Sequence, residues 1–333
     1  MSHNSMATVP AGVSDLPADA TQILRRYESN PILRLEDYPG VAQIYNPAPV
    51  QHGDETILLV SVVEHAATRG FGRDVGQTRI ARSIDGINFE LGKDDFISTQ
   101  AGGMPWDLYH HFIDNRVTPI DGEYYIVTPV MVNGYDGPVG MLGKTTDFVN
   151  YERIAVITQP KNRGASIFPA KINGQYWKLD RPGGGDGGNG DIWISSSPDL
   201  IHWGNFQPLI AAGYRYWNTQ KIGPTPPIWT PEGWLEIMHG VFTPAGGTYY
   251  YVGALLLDLE KPWKIIGQTN SWILAPKEDY ERCGNCDNVV FPCGAIGDWS
   301  ADSLRLYYGA TDDKICLATG SMRELVEACK KGL

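Results

Sequence analysis

One phrase recurs along this chain. It is a tight turn followed by a strand rich in Tyr, Trp, Ile, Leu and Val. It stands at Gly53-Asp54, Asp121-Gly122, Asn173-Gly174, Glu232-Gly233 and, more weakly, Asp302-Ser303. Asp-Gly and Asn-Gly pairs between alternating apolar residues are hairpin signals, because such turns need positive φ at their central positions. A second phrase follows three of these turns. The stretches Arg82 to Phe89, Lys144 to Tyr151 and Ser196 to Trp203 match, with Asp85, Asp147 and Asp199 each four residues before an aromatic, at a tight turn between two strands. Five units at spacings of about 50 to 70 residues fit the blades of a five-bladed β-propeller. A β-sandwich, or a pair of them, is the alternative.

Composition agrees with many short strands. The 333 residues include 38 Gly, 23 Pro, 17 Tyr and 10 Trp. The length exceeds an ordinary domain but suits a propeller folded as one unit. Residues 1–28 are expected to form an N-terminal arm, polar over its first 20 residues, with one or two helical turns within 21–28. Asn30-Pro31 stops any helix there, because the residue before a proline avoids the α conformation. Residues 29–333 are then a single propeller domain. The one helix expected is 321–331, where Ser321 and Glu324 form a capping box ahead of Leu325, Val326 and Cys329.

The net charge of −11 argues against nucleic acid and against an anionic membrane surface as partners, but not against a small anion in a local basic pocket. No apolar run reaches the roughly 18 residues of a membrane-spanning helix. The first 20 residues lack the basic start and apolar core of a secretory signal. Five cysteines in a long chain fit reduced thiols and a cytoplasmic location.

Candidate chemistry begins at Asp114 and Arg116, two apart at the start of an expected strand. Residues i and i+2 of a strand share a face, so the pair could be a surface ion pair or an acid beside an anion-binding cation. Arg163, Arg181, Lys221 and His239 stand at the ends of later repeats. A propeller would bring them to one channel, where Arg suits phosphate or carboxylate.

The phrases Asn30-Pro31-Ile32, Asp114-Asn115-Arg116, Phe168 to Gly174 with Arg181-Pro182, Lys221-Ile222-Gly223 with Pro226-Pro227, His239-Gly240-Val241, Gly253 to Leu259, Asn288 to Gly294 and Tyr307-Tyr308-Gly309-Ala310 occur in order. Together they resemble glycoside hydrolase family 130, the β-mannoside phosphorylases and β-1,2-mannosidases, over about residues 29–328. The resemblance implies a five-bladed propeller. It makes Asp114 the general acid of an inverting reaction, acting through the 3-hydroxyl of the mannosyl unit. It assigns phosphate contacts to Arg163, Arg181 and His239, with Tyr250 added, and mannosyl contacts to Asp312 and Asn46, with Arg116 and Lys221 also in the substrate site. Inorganic phosphate would be co-substrate with a β-mannoside oligosaccharide, giving α-mannose 1-phosphate. A cofactor or metal is not required, and homo-oligomer formation stays open.

The chain departs from the family pattern in several places. Ser61 stands near a position that is usually Arg, Asn115 replaces Pro, Ile113 replaces an acidic or aromatic residue, and Asp180 precedes Arg181. Arg69 or Arg73 is a candidate for the missing cation. An Asp180–Arg181 pair would weaken phosphate binding, and Asp180 or Glu64 would then be candidates for a water-activating base. An inverting β-mannosidase is therefore the alternative, and a non-catalytic sugar-binding propeller the second. Cys283-Gly284-Asn285-Cys286 lacks a second pair and is expected to be two loop thiols, not a zinc site. The glycine-rich 183–191 lacks the Lys of a P-loop and is expected to form a rim over the site. His110 and His111 are expected to make polar sugar contacts. Trp106, Tyr109 and Trp217 are candidates for stacking on sugar rings or for blade core.

Overall fold

The computed structural model describes residues 23–65, 75–97, 109–132, 137–183 and 190–332. Its strands form five antiparallel sheets. The first blade holds Val41–His52, Glu55–Glu64, Val75–Ser83 and Glu90–Ile97. In the second, Tyr109–His110 and Arg116–Ile120 share one inner edge of Glu123–Val132, followed by Pro138–Thr145 and Glu152–Val156. The third runs Ser166–Ile167, Tyr176–Asp180, Ile192–Ser197 and Gly204–Ile210. The fourth again has a split first strand, Lys221–Gly223 and Ile228–Thr230, before Gly233–Phe242, Tyr249–Leu257 and Ile265–Gln268. The fifth pairs Val290–Pro292 and Ile296–Asp298 with Ser303–Ala310, which pairs Lys314–Gly320. This is the five-bladed propeller.

The turns fold as their residues require. Asp121, Asn173 and Asp302 take φ of +51, +53 and +53°, a left-handed conformation that Asn and Asp tolerate better than most residues. In the second phrase, Asp85 accepts from the Ile87 and Asn88 amides at 2.9 and 2.8 Å. Asp147 and Asp199 repeat the pattern on Val149–Asn150 and Ile201–His202. The carboxylate thus satisfies two turn amides that the sheet leaves unpaired.

The fifth blade is completed from the other end of the chain. Arg25–Arg26 and Leu33–Arg34 pair with Lys314–Gly320. Between them the Asn30 carboxamide donates to Leu317 O and accepts from Leu317 N, both at 2.9 Å, in the manner of a strand residue. Arg26 reaches the fully buried Glu281 (Nε–Oε1 2.7 Å), which also accepts from the Tyr308 hydroxyl at 2.8 Å. Residues 25–26 are therefore extended, not helical as the sequence suggested, and the arm's last residues belong to the propeller. Residues 1–22 lie outside the described residues. The C-terminal helix, Met322–Lys331, starts where expected, with the Ser321 hydroxyl accepting from the Glu324 amide at 3.1 Å. A one-turn helix at Asp279–Arg282 was not foreseen.

Candidate active site

Each blade contributes to one end of the channel. Asn46 sits where the first strand of blade one shifts register between Tyr45 and Ala48, and Asp114 immediately precedes the inner strand Arg116–Ile120. Arg163 precedes Ser166–Ile167, and Lys221 opens its strand. Arg181 and Asp312 follow the second strands of their blades. Asn46, Asp114, Arg163, Arg181, Lys221, Tyr250 and Asp312 line a single pocket of about 230 Å³, with Tyr45, Cys286, Val289 and Phe291 completing the wall. A second pocket of about 670 Å³ shares Tyr45 and Arg163 with it and is walled by His111, Ile113, Val63 and Met131 among others.

Asp114 is buried and has φ +55°. Its Oδ1 accepts from Asn46 Nδ2 at 2.6 Å. Its Oδ2 accepts from Arg163 Nε at 2.8 Å and also from Arg163 Nη2. Its amide donates to Ser61 Oγ at 2.9 Å, so Ser61 holds the Asp114 backbone. Asn115 is likewise buried: it donates to Thr78 Oγ1 and accepts from Thr128 Oγ1, both at 2.7 Å, tying blade one to blade two.

Two expected site residues lie behind the wall instead of on it. Arg116 donates to the Asp114 carbonyl at 2.5 Å and to the Pro224 carbonyl at 3.3 Å. It thus sets the Asp114 backbone and does not share a pocket face with its carboxylate. His239 is buried with its ring 4.4 Å from that of Phe291, and among the described residues neither ring nitrogen has a hydrogen-bond partner.

The proposed hydrolytic bases are elsewhere. Asp180 does not pair with Arg181: it accepts from Lys178 Nζ, from Ser195 Oγ at 3.1 Å and from Asn162 Nδ2 at 3.2 Å. Lys178 is two residues away in the same strand and therefore on the same face. Glu64 pairs with Arg79, which also reaches Asp95 at 3.2 Å. Arg69, Arg73, Trp106 and most of the glycine-rich stretch (184–189) lie outside the described residues, as does the Tyr109 side chain. Trp217 is fully buried in a hydrophobic cluster, and a Cβ at Gly240 or Gly253 would collide with its ring. It is blade core, not a stacking platform. His111 lines the larger pocket, where its Nδ1 accepts from the Gly76 amide at 3.1 Å.

The electrostatics follow from this crowding. Burial pushes the Asp114 carboxyl up, but the Arg163 and Arg116 guanidiniums and Asn46 outweigh it, and the net shift is downward. Burial, then Arg163 and Arg116, push Arg181 down to about 10. Burial, then Arg181 and Arg163, push Lys221 down to about 8. Burial and the Asp114 carboxylate raise Asp312 to about 6. Burial and the surrounding cations hold His239 well below its usual range, so it is neutral. Three mutually repelling cations thus face one pocket, a charge state that an anion would relieve.

Fold and site together define a β-propeller with a buried acid set among cations at one end of its channel. A family model described as beta-1,4-mannooligosaccharide phosphorylase matches residues 19–331. The chain belongs to glycoside hydrolase family 130. It is 31% identical over 323 residues to a beta-1,4-mannooligosaccharide phosphorylase of Ruminococcus albus, covering 95% of this chain and 93% of that one. It is 31% identical over 337 residues to a 4-O-beta-D-mannosyl-D-glucose phosphorylase of Bacteroides fragilis, covering 94% and 82%. Among solved structures, a beta-1,2-mannobiose phosphorylase of Listeria innocua in complex with beta-1,2-mannobiose superposes with a TM-score of 0.82 at 29% identity, covering 92% and 99%.

Proposed function

We propose that this chain is an inverting β-mannoside phosphorylase, acting in the cytoplasm in carbohydrate metabolism. It transfers a terminal β-mannosyl unit to inorganic phosphate and gives α-mannose 1-phosphate. The observation that carries this is the cation cluster of Arg163, Arg181 and Lys221 around Asp114, with Asp180 and Glu64 engaged away from the pocket. An inverting hydrolase needs a second carboxylate as base, about 6.5–9.5 Å from the acid. Phosphate is itself a nucleophile and needs only to be held and aimed.

In this mechanism phosphate settles on Arg163, Arg181 and Lys221, while Asn46 and Asp312 hold the mannosyl hydroxyls. Arg163 is the guanidinium that keeps the resting Asp114 ionised. A phosphate dianion drawing on Arg163 weakens that hold and adds negative charge nearby. Both effects favour protonation of Asp114, which then passes its proton through the mannosyl 3-hydroxyl to the departing oxygen. Phosphate attacks the anomeric carbon from the opposite face. The leaving sugar occupies the larger pocket beyond Tyr45 and Arg163. Organic cofactors and metals have no step in this scheme.

The test is turnover of a β-mannoside panel with and without inorganic phosphate. We expect phosphate-dependent turnover and accumulating α-mannose 1-phosphate. Free mannose released at an equal rate in phosphate-free buffer would place the chain on the hydrolase branch, with Asp312 the first carboxylate to test as base.

A further inference from the structure

The Cys283-Gly284-Asn285-Cys286 motif has no part in the chemistry above, yet its loop borders the catalytic pocket. Cys286 lines that pocket alongside Lys221, Tyr250 and Asp312. Its amide donates to the Thr311 carbonyl at 2.9 Å, one residue before Asp312. Two residues on, the Asn288 carbonyl accepts from the Tyr250 amide at 3.0 Å. Asn285 donates to the Ala42 carbonyl at 3.1 Å and lines the larger pocket. The loop therefore braces Asp312, Tyr250 and the wall between both pockets. Gly284 is seated so closely on Thr311 that a Cβ there would collide with it. Cys283 is exposed, whereas Cys293, Cys316 and Cys329 are fully buried.

We propose that Cys283 and Cys286 form a reversible thiol–disulfide site whose oxidation impairs substrate and phosphate binding in the adjoining pocket, an inference that rests on the phosphorylase function proposed above. Backbone bends run through residues 283–288. Those bends shorten the roughly 10 Å that three extended residues span towards the Cα separation of about 4.4–6.8 Å that a disulfide bridges. The oxidant is a low-molecular-weight disulfide. The exposed Cys283 thiolate attacks one of its sulfurs, forming a mixed disulfide and releasing one thiol. Cys286 then gives up its proton and attacks Cys283 Sγ, closing the Cys283–Cys286 bond and releasing the second thiol. Two protein thiols are oxidised and one small disulfide is reduced to two thiols. Burial, Asp312 and Asp287 push the Cys286 thiol up, so it is the slower nucleophile and the exposed Cys283 takes the first step. Closure turns the Cys286 sulfur from the pocket wall towards Cys283 and pulls on the segment that braces Asp312 and Tyr250.

The test treats the folded full chain with glutathione disulfide and reads both intact mass and kinetics. The expected product has lost two hydrogens and carries no glutathione. Its apparent KM for phosphate and mannoside rises roughly tenfold or more, a loss of about 1.4 kcal/mol of binding, and dithiothreitol restores it. Cys283→Ser should keep full activity and ignore the oxidant. A stable glutathione adduct without closure, or closure with unchanged kinetics, would overturn the proposal. If the enzyme releases free mannose without phosphate, the proposed function fails, and the reduced-against-oxidised comparison on that hydrolytic rate still decides the thiol site.

Discussion

Arg163 commits its guanidinium to Asp114 before any substrate arrives. Removing the acid's proton without changing its shape is the direct probe. Asp114→Asn should keep ligand binding and lower turnover by about 10²–10⁴-fold, the usual worth of general acid catalysis; steady-state kinetics with calorimetric binding separate the two. Arg163 and Arg181 can be told apart. Each removes a charge-assisted phosphate contact worth about 1.5–3 kcal/mol, so either alanine variant should raise the KM for phosphate more than that for the sugar. Arg163→Ala should in addition let the Asp114 carboxyl rise. Catalysis needs that group protonated, so the alkaline limb of the kcat/KM profile moves to higher pH, whereas Arg181→Ala leaves it nearer its place. Asp312 gives a stability prediction. Its pKa is raised to about 6 from 3.8, so the fold disfavours its charged form. That penalty is absent below the unfolded value, grows between about pH 4 and 6, and is complete above. Asp312→Asn should raise the melting temperature at pH 7–8 and leave it unchanged near pH 3.

Those residues were legible because acids and cations stand out at the ends of apolar strand phrases. Their directions were not. Asp114 and Arg116 do not share a face, because Asp114 has a left-handed backbone and lies before the strand begins. Asp180 and Arg181 are neighbours, and neighbours in a strand diverge, so Lys178 takes the carboxylate. Strand alternation predicts the second case and misleads in the first. The loop at Cys286 was visible only as thiols, since nothing in its sequence says that it folds back against Thr311.

At the scale of the element, the repeated Asp turns are interchangeable parts. Asp85, Asp147 and Asp199 each accept from the amides two and three residues on. Blade four has the same device at Asp258, which accepts from Glu260 and Lys261 at 3.0 Å each. Its aromatic, Trp263, comes five residues later instead of four, which hid this copy from the sequence pattern. Alanine at Asp85, Asp147 or Asp199 should lower the melting temperature by similar amounts and leave KM and kcat unchanged, because these turns do not line the pocket. A change in KM at any one of them would show that its blade edge communicates with the site.

Across the whole molecule, the ring is joined by the strands at Arg25–Arg26 and Leu33–Arg34 on the fifth blade. The sequence concealed this because each strand is only two residues long, too short to show alternation. Removing residues 1–34 deletes the Arg26–Glu281 pair and the Asn30 bridge to Leu317, and leaves Glu281 buried without its cation. Losing one partner of such a pair costs about 3–5 kcal/mol, so the shortened chain should melt well below the full one in a thermal scan. The join also has a meaning in time. A ribosome makes the first outer strand before any of the blade it completes, and its partner, Lys314–Gly320, emerges roughly 280 residues later, counting from Arg34 to Lys314. At about 5–20 residues per second, that strand waits many seconds, with its pairing edge open, for the last blade to reach it. A chain halted before residue 314 leaves Arg25–Arg26 and Leu33–Arg34 without the strand they pair with.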